Sequence, residues 1–550
     1  MRSIHIKIYT AFCHELSTLV SQSKKVKKYC QYLMCGILLC YGPSFKAEDD
    51  RLLEFYEDEV PRLGYDDNIE SMVKLVRCRG PNYSSMRQIK DVNSIWISSV
   101  LSLRQPFTKQ SIVIGNKYVL QFNGELYNDE IIESGNDTQF LSGLLKKCIS
   151  EDDVFNILHG LDGEFAFTIQ DLENNLIYFG RDTIGKRSLS YSLNYNISEL
   201  IVTSVSGSDN GSRIFNDCVA GVIYKYDIDR NILDTTSTLR KPWSITREHD
   251  DDMTHIDTCT KNLYDLLSGA TRKRVESIHP LHIENSPISI LFSGGLDCSV
   301  ITALVCETLI SRNMHDHATI ELLNVAFENL RTGMMPQDAP DRQLAVKSYS
   351  ELCEKYPNIN IKLIEVDVSY AEYMKHRPEV VDLMYPKNTE MDLSIAIAFY
   401  FASRGDGFIT DDNGVRKEYK RKGLVLFSGL GADELYGGYY KLSNKLEDEL
   451  ANELTTQINN IYRRNLNRDD KVIASNGVEV RYPFLAEEVV EFSTASIPLN
   501  YKRDKMILRN IASSILGLHG LSAEKKRAIQ FGAKSAKMTK NGNKNGTDLL

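Results

Sequence analysis

The sequence predicts two folded units in tandem: an α+β sheet sandwich, then a doubly wound parallel sheet that ends in a mainly helical part. Three observations carry this. From Cys35 to about Tyr226 the chain is a series of short β-rich runs broken by turns. After a polar stretch, apolar strands alternate with helices, and beyond about Leu435 the texture is helical. Clustered strands favour a sandwich, whereas strands alternating with helices favour a parallel sheet. At 550 residues the chain also exceeds what one hydrophobic core fills.

In chain order, Ser111–Phe122, Glu164–Gln170 and Leu176–Gly180 read as strands, with Asn-Gly and Gly-Asn turn signals beside them, and Phe140–Cys148 reads as a helix. Residues 233–255 are rich in threonine and aspartate and read as a linker. Ile256–Ile278 reads as a helix, Pro287–Phe292 as a buried strand, and Leu296–Leu309 as the next helix. Leu322–Phe327, Ile361–Val366 and Gly423–Phe427 are further apolar strands, with 405–422 a charged surface insertion between the last two. The expected boundaries are therefore a first unit at 35–232, a second at 256–539, and a Lys/Asn/Gly-rich disordered tail at 540–550.

Composition narrows the class. A hydrophobic fraction of 42% and a charged fraction of 25% are ordinary for a globular protein. A net charge of -9 speaks against a surface built to hold nucleic acid. The eleven cysteines are scattered without a Cys-x-x-Cys pair, which speaks against a disulfide framework or a thiolate zinc site and fits a reducing, cytoplasmic setting. No apolar run reaches the roughly 18 residues of a membrane span. Residues 1–34 carry Arg2, Lys7, Lys24, Lys25, Lys27 and Lys28 against the single acid Glu15. A targeting peptide, a leader missing from the mature protein and a misassigned start all fit that segment.

Chemistry enters at Met34-Cys35-Gly36-Ile37. A cysteine thiol is a nucleophile once a base takes its proton, and an N-terminal cysteine carries a base of its own, because an α-amine titrates near neutrality. Removal of everything through Met34 is the condition. In order after Cys35 come Arg79-Gly80-Pro81-Asn82, Gln105-Pro106, Asn123-Gly124-Glu125-Leu126-Tyr127-Asn128, Asp137-Thr138, Leu161–Phe167 and Arg181–Arg187. Together these resemble the class II glutamine amidotransferase domain of the B-type asparagine synthetase family, which implies an Ntn-type αββα glutaminase sandwich. The resemblance implies Cys35 as nucleophile, the Asn123 side chain and the Gly124 N–H as oxyanion donors, and Glu125 and Asp137 on the substrate ammonium. Relatives carry a carboxylate-clamping arginine shortly before the Gln-Pro pair. Here that stretch is Ile97–Leu101, and Arg104, displaced toward Gln105, is the candidate replacement.

The second half holds Ser293-Gly294-Gly295-Leu296-Asp297-Cys298-Ser299 between a strand and a helix. Glycines admit a phosphate close to the backbone, and the helix start presents free N–H groups. No Walker motif occurs, and the loop resembles the PP-loop of AMP-transferring enzymes. Ser428-Gly429-Leu430-Gly431-Ala432-Asp433-Glu434 resembles the second asparagine synthetase signature. The resemblance implies ATP and Mg²⁺ as cofactors. ATP contacts are expected at Ser293, Gly294, Gly295, Asp297, Ser299, Val325, Ser428, Gly429, Gly431 and Lys505. Asp297 and Asp433 are expected as metal ligands, and Asp392, Glu434 and Arg481 at the aspartate site.

Leu430 stands where the family usually has glutamate, and a leucine cannot help remove a proton from ammonia. The pattern resembles the divergent branch of asparagine synthetase domain-containing proteins. The expected reaction joins glutamine-derived ammonia to an aspartyl-adenylate, yielding asparagine, AMP and pyrophosphate. The alternatives are a non-catalytic or regulatory descendant, an adenylating enzyme with another acceptor such as RNA, and a β-lactam-forming synthetase. The expected partners are glutamine and aspartate, without nucleic acid or membrane, and a homodimer is an assembly the resemblance allows.

Overall fold

The computed structural model of the protein describes residues 35–550, apart from 56–61, 81–82, 102, 132–134, 209–210, 212, 251–252, 280–285, 315–317, 412, 440–441, 443–444, 525–526 and 539–544. The segment through Met34, the Pro81-Asn82 part of one motif and most of the lysine- and asparagine-rich run after Met538 lie outside the described residues.

The first unit is an αββα sandwich. One sheet has the order β11-β9-β10-β1-β4-β3-β2, and the other β13-β12-β8-β7-β6-β5. The strands of the first are β1 (Gly36–Tyr41), β2 (Arg51–Phe55), β3 (Tyr83–Gln88), β4 (Ser94–Val100), β9 (Ser190–Asn194), β10 (Glu199–Thr203) and β11 (Asn216–Asp217). Those of the second are β5 (Ile112–Ile114), β6 (Tyr118–Leu126), β7 (Gly163–Asp171), β8 (Leu176–Arg181), β12 (Val222–Asp227) and β13 (Ile232–Thr238). Strand β1 shows how layering follows from sequence. Leu39 and Tyr41 join the inter-sheet core with Trp96 and Phe179, while Leu38 and Cys40 face the opposite way with Val73 and Val76 of the Asp67–Arg79 helix. With both faces covered, the strand reads as one continuous apolar run.

Two expectations shift here. The run read as one strand over 111–122 is a hairpin, β5–β6, turned at Gly115 and Asn116, whose φ of +58° and +57° suit a type I′ turn. The polar start of the expected linker is instead β13, an edge strand antiparallel to β12. Its mostly exposed residues gave it a linker's texture. The remainder is anchored, with Trp243 N donating to Asn459 Oδ1 at 2.9 Å and Thr246 N to the Thr494 carbonyl at 2.8 Å.

The second unit carries a sheet of order β18-β17-β16-β15-β14-β19-β20, comprising β14 (Ile288–Leu291), β15 (Thr319–Phe327), β16 (Asn360–Val368), β17 (Asp406–Thr410), β18 (Arg416–Lys420), β19 (Val425–Phe427) and β20 (Glu479–Arg481). From β16 to β20 the pairing is parallel. The charged insertion at 405–422 is the antiparallel β17–β18 hairpin, which extends this sheet along β16. Strand β14 lies between β15 and β19, so the order reverses there. Loops leaving β14 and β19 emerge side by side at the sheet's carboxyl edge, where doubly wound folds place ligands.

The tail also differs from expectation. Residues 545–550 lie on the start of the Glu390–Arg404 helix, where Glu390 N and Met391 N donate to the carbonyls of Asp548 and Gly546 at 3.0 and 2.9 Å. Those are orphan donors of a helix start, and the tail satisfies them.

Candidate functional site

Two centres form, one in each unit. The first is a cleft of about 410 Å³, open to solvent, lined by Cys35, Arg104, Gln110, Gly124, Glu125, Asp137, Thr138 and Glu479 among others. Cys35 begins the chain's first described strand region, and its Sγ accepts a hydrogen bond from Leu101 N at 3.3 Å. Burial pushes the thiol up to about 12, with the Leu101 backbone pulling the other way. Among the described residues no side-chain base hydrogen-bonds that sulfur.

Asn123 and Gly124 sit on β6 against β7. Asn123 is 1% exposed, yet its Nδ2 has no hydrogen-bond partner among the described residues. An amide donor buried without an acceptor is costly unless a ligand supplies one. Gly124 holds φ +150°, and a Cβ there would fall 2.0 Å from the Glu164 carbonyl oxygen, so only glycine brings this N–H into line.

Glu125 and Asp137 are both buried, and burial raises both carboxyls while Arg104 pulls them back. Asp137 opens the Asp137–Leu145 helix, capped by Asn136, whose side chain accepts from Gln139 N at 3.2 Å. Arg104 binds Glu125 Oε1 through Nε and the Leu126 carbonyl through Nη2 at 2.7 Å. The displaced arginine therefore lies in the same cleft as the groups it was expected to join.

The second centre, about 450 Å³ with its open mouth included, is lined by Ser293, Gly295, Asp297, Cys298, Asp341, Lys505, Arg509, Glu524 and Arg527 among others. The Ser293–Gly295 turn joins β14 to the Leu296–Ser311 helix, and a Cβ on Gly294 would lie 2.5 Å from Ala345 N. Glycine thus lets the Pro340–Lys355 helix close on the loop. Asp297 opens the helix, and Asp433 follows the glycine loop after β19. Both converge on Lys505 Nζ, which lies 2.7 and 2.5 Å from the two Asp297 oxygens and 2.5 Å from Asp433 Oδ1. Asp504 and Lys505 adopt φ of +51° and +59°, a strain of about 1–3 kcal/mol each. Lys505 N donates to the Tyr436 carbonyl at 3.0 Å, which holds the turn. Two convergent carboxylates beside a phosphate-type loop fit Mg²⁺, which takes one or two carboxylates and completes its shell with phosphates and water. Among the described residues no cluster of three or more His, Cys, Asp or Glu could hold a metal unaided.

Other expected residues fall out as follows. Ser299 is fully buried one turn into the helix with an Oγ that has no partner among the described residues, and Val325 is buried near the end of β15. Ser428 Oγ accepts from Leu430 N at 3.2 Å, and Leu430 packs half-buried on the core beside Gly429 and Gly431. Cys298 Sγ donates to the Gly295 carbonyl at 3.2 Å, with burial raising the thiol. Glu434 is buried and accepts from the Tyr439 hydroxyl at 2.6 Å. The aspartate-site trio does not assemble as expected. Asp392 accepts from Arg468 Nη1 at 2.9 Å and from the Thr389 hydroxyl at 2.7 Å. Arg481 pairs instead with Glu479 and with Glu125 of the first centre, because β20 runs along the boundary between the units.

Sequence reasoning missed that boundary. Arg181–Arg187 and the Glu479–Leu485 segment, which includes Arg481, clamp the units together. Arg187 Nη1 donates to the Val480 carbonyl at 2.6 Å, Lys186 Nζ to the Leu485 carbonyl at 3.1 Å, and Arg181 Nη1 to Asn467 Oδ1 at 3.0 Å. Asp470 accepts from Arg79 at 2.9 Å and from Ser188 at 2.7 and 2.9 Å; Glu164 takes Arg274 at 2.8 Å and Arg187 at 3.3 Å. The signal available was a set of charges inside apolar stretches. Such charges need partners, and a single sequence does not say which.

The chain matches the asparagine synthase family model over residues 263–448 and 442–543, and a glutamine amidotransferase domain model over 94–206. It is 56% identical over 522 residues to an asparagine synthetase domain-containing protein of Saccharomyces cerevisiae, covering 94% of this chain and 99% of that one. Asparagine synthetase domain-containing protein 1 of Gallus gallus is 28% identical, with 85% and 94% covered. Asparagine synthetase B [glutamine-hydrolyzing] of Escherichia coli is 24% identical, with 80% and 75% covered. No helix among the described residues is long and apolar enough to cross a membrane.

Proposed function

The chain belongs to the asparagine synthase family, in its branch of asparagine synthetase domain-containing proteins, and from that premise we propose that it is a glutamine-dependent synthetase forming asparagine from aspartate. Cys35 attacks the glutamine amide, with Asn123 Nδ2 and Gly124 N–H on the oxyanion. Glu125 and Asp137 take the substrate ammonium and Arg104 its carboxylate. With no side-chain base on its sulfur among the described residues, Cys35 is proposed to act as the mature N-terminus and to use its own amine. Intact-mass measurement of the natural protein tests this, and a mass retaining residues 1–34 overturns it.

On the ATP side, the carrying observation is the convergence of Asp297 and Asp433 on one point between the two glycine loops. There the two carboxylates would hold Mg²⁺, which when bound neutralises phosphate charge. Lys505 then turns from the carboxylates to the phosphates, and the Ser293–Gly295 backbone receives the pyrophosphate. The adenylated carboxylate meets ammonia released in the first unit. The test supplies the full chain with ATP, Mg²⁺, aspartate and ammonium chloride and measures pyrophosphate and asparagine. Aspartate-dependent release of both supports the reading.

One observation favours a second reading. Leu430 is an apolar, half-buried side chain packed on the core, in the loop that carries Asp433. A synthetase with a different acceptor, or a regulatory protein, accommodates it. In the same assay, folded protein without aspartate-dependent turnover selects that reading.

A further inference from the structure

Strand β20 belongs to the ATP-side sheet, yet two of its side chains reach the glutamine cleft. Glu479 lines the cleft itself. Arg481 Nη2 lies 3.3 Å from Glu125 Oε2, while the other Glu125 oxygen holds Arg104. Glu479 closes the row, with one oxygen 2.9 Å from Arg481 Nε and the other 3.7 Å from Arg187. An alternating row Arg104–Glu125–Arg481–Glu479 therefore crosses from one unit to the other, and only Arg104 has more than a trace of exposure, 14%.

Glutamine is a zwitterion. Its carboxylate needs a cation and its ammonium needs carboxylates, and the cleft offers both, already joined to each other. A ligand satisfied at both ends must enter between Arg104 and Glu125. Glu125 then loses one of its two cations at the moment it must stay ionised. Burial already raises its carboxyl, and Asp137 and Glu479 add like charge beside it; Tyr127 also lies in its field. Arg481 is the cation that remains.

We propose that glutamine binds by splitting the Arg104–Glu125 ion pair, and that Arg481, delivered by the ATP-side sheet, is the positioning residue that keeps Glu125 charged and in place as the pair opens. This rests on the glutamine-site reading above. Arg481 is held for the role. Its Nη1 donates to Ser277 Oγ at 2.7 Å and to the Arg274 carbonyl, and its own carbonyl accepts from Ser428 N at 3.0 Å. That last bond ties the residue to the glycine loop of the ATP centre, so one short backbone link joins the two centres.

The test measures glutamine binding by calorimetry to the full chain carrying Cys35→Ala, which blocks turnover, from about pH 4 to about pH 8, a span that runs from the ordinary carboxylate range up past neutrality. It is repeated with Arg481→Met and with Arg481→Lys added. Arg481→Met is expected to weaken glutamine by about tenfold or more at neutral pH, the scale of one charge-assisted bond. It should also move the acid limit of binding upward, because Glu125 then takes a proton sooner. Arg481→Lys, which keeps the charge with a shorter reach, is expected to recover part of both and carries the test if Arg481→Met does not fold. A merely structural role would lower the thermal transition and leave the acid limit where it was. Unchanged affinity and an unchanged acid limit in a folded Arg481 variant overturn the proposal alone. No glutamine binding by Cys35→Ala itself overturns the site reading, and the proposal with it.

Discussion

The two centres handle charge in opposite ways. In the glutamine cleft, Arg104 and Arg481 face Glu125 and Glu479 in an alternating row, close to balance. In the ATP centre, two aspartates share one lysine, while Arg509 and Arg527, which line the same cavity, have no carboxylate partner among the described residues. The ligands proposed for the two centres would account for the difference. A zwitterion is neutral overall and needs a matched pair that can open. A metal–polyphosphate complex needs spare carboxylates for the metal and spare cations for the phosphates. Charge layout thus separates the two sites before any ligand is named.

The comparison breaks most sharply if either centre is not independent in its chemistry. Cys35→Ala should lower glutamine-driven product formation by about 10⁴-fold or more, since the nucleophile is gone, while ammonium-driven turnover persists. Asp433→Asn should lower pyrophosphate release with either nitrogen source by a comparable factor, because the two-carboxylate site is halved. Parallel assays with glutamine and with ammonium read both. If ammonium rescued Asp433→Asn, the ATP centre would be misplaced.

The ATP-side centre was legible in the sequence as a loop, because a glycine turn between a strand and a helix carries its own reason. Asn123-Gly124, by contrast, lies within β6 and was legible only as one of an ordered set of motifs. Ser293–Gly295 forms the expected turn from strand to helix, and at Asn123-Gly124 the structure adds an amide without a hydrogen-bond partner among the described residues and the clash that excludes a side chain at Gly124. The boundary between the units was not legible. Arg481 sits in a strand of three residues, and nothing local to Glu479–Arg481 says that its partner lies some 350 positions earlier at Glu125. Edge elements were misread for a related reason. Strands β13 and β17–β18 bury little, so their polar residues carry no period-two apolar signal, and pairing to a neighbour decides their structure.

Two smaller effects sharpen the comparison at the seam. Asp470→Asn removes the anion held by Arg79 and Arg187, all three fully buried, and should cost about 3–5 kcal/mol in chemical denaturation. Burial raises the Asp470 carboxyl, but Arg79, Arg187 and Ser188 lower it further, so the net shift is downward. Its stabilisation is therefore full above the ordinary carboxylate value and is lost as pH falls through the lower folded value. A loss confined to one centre's activity would show that the seam is not shared. Asn123→Ala should lower kcat for glutamine hydrolysis by about 10²–10³-fold with ammonium-driven turnover kept. A change in glutamine KM alone would move Asn123 from the oxyanion to the ground state.

The smallest effect concerns stability in the ATP-side unit. Lys502 is fully buried, its ammonium donates to the Ser493 carbonyl, and burial lowers it from 10.5 to about 7. A base depressed in the fold opposes folding once the unfolded chain begins to take up the proton. The penalty is absent above 10.5, grows as pH falls, and is complete below about 7. Lys502→Met keeps the chain length and removes the charge, so it should raise the unfolding temperature, and by more at pH 6 than at pH 10, within a limit on the order of 4 kcal/mol. Thermal melts of the two proteins at both pH values read this directly. A pH-independent gain would assign the benefit to packing alone. A loss at both values would mean that the ammonium bond to Ser493 outweighs the cost of burying the charge.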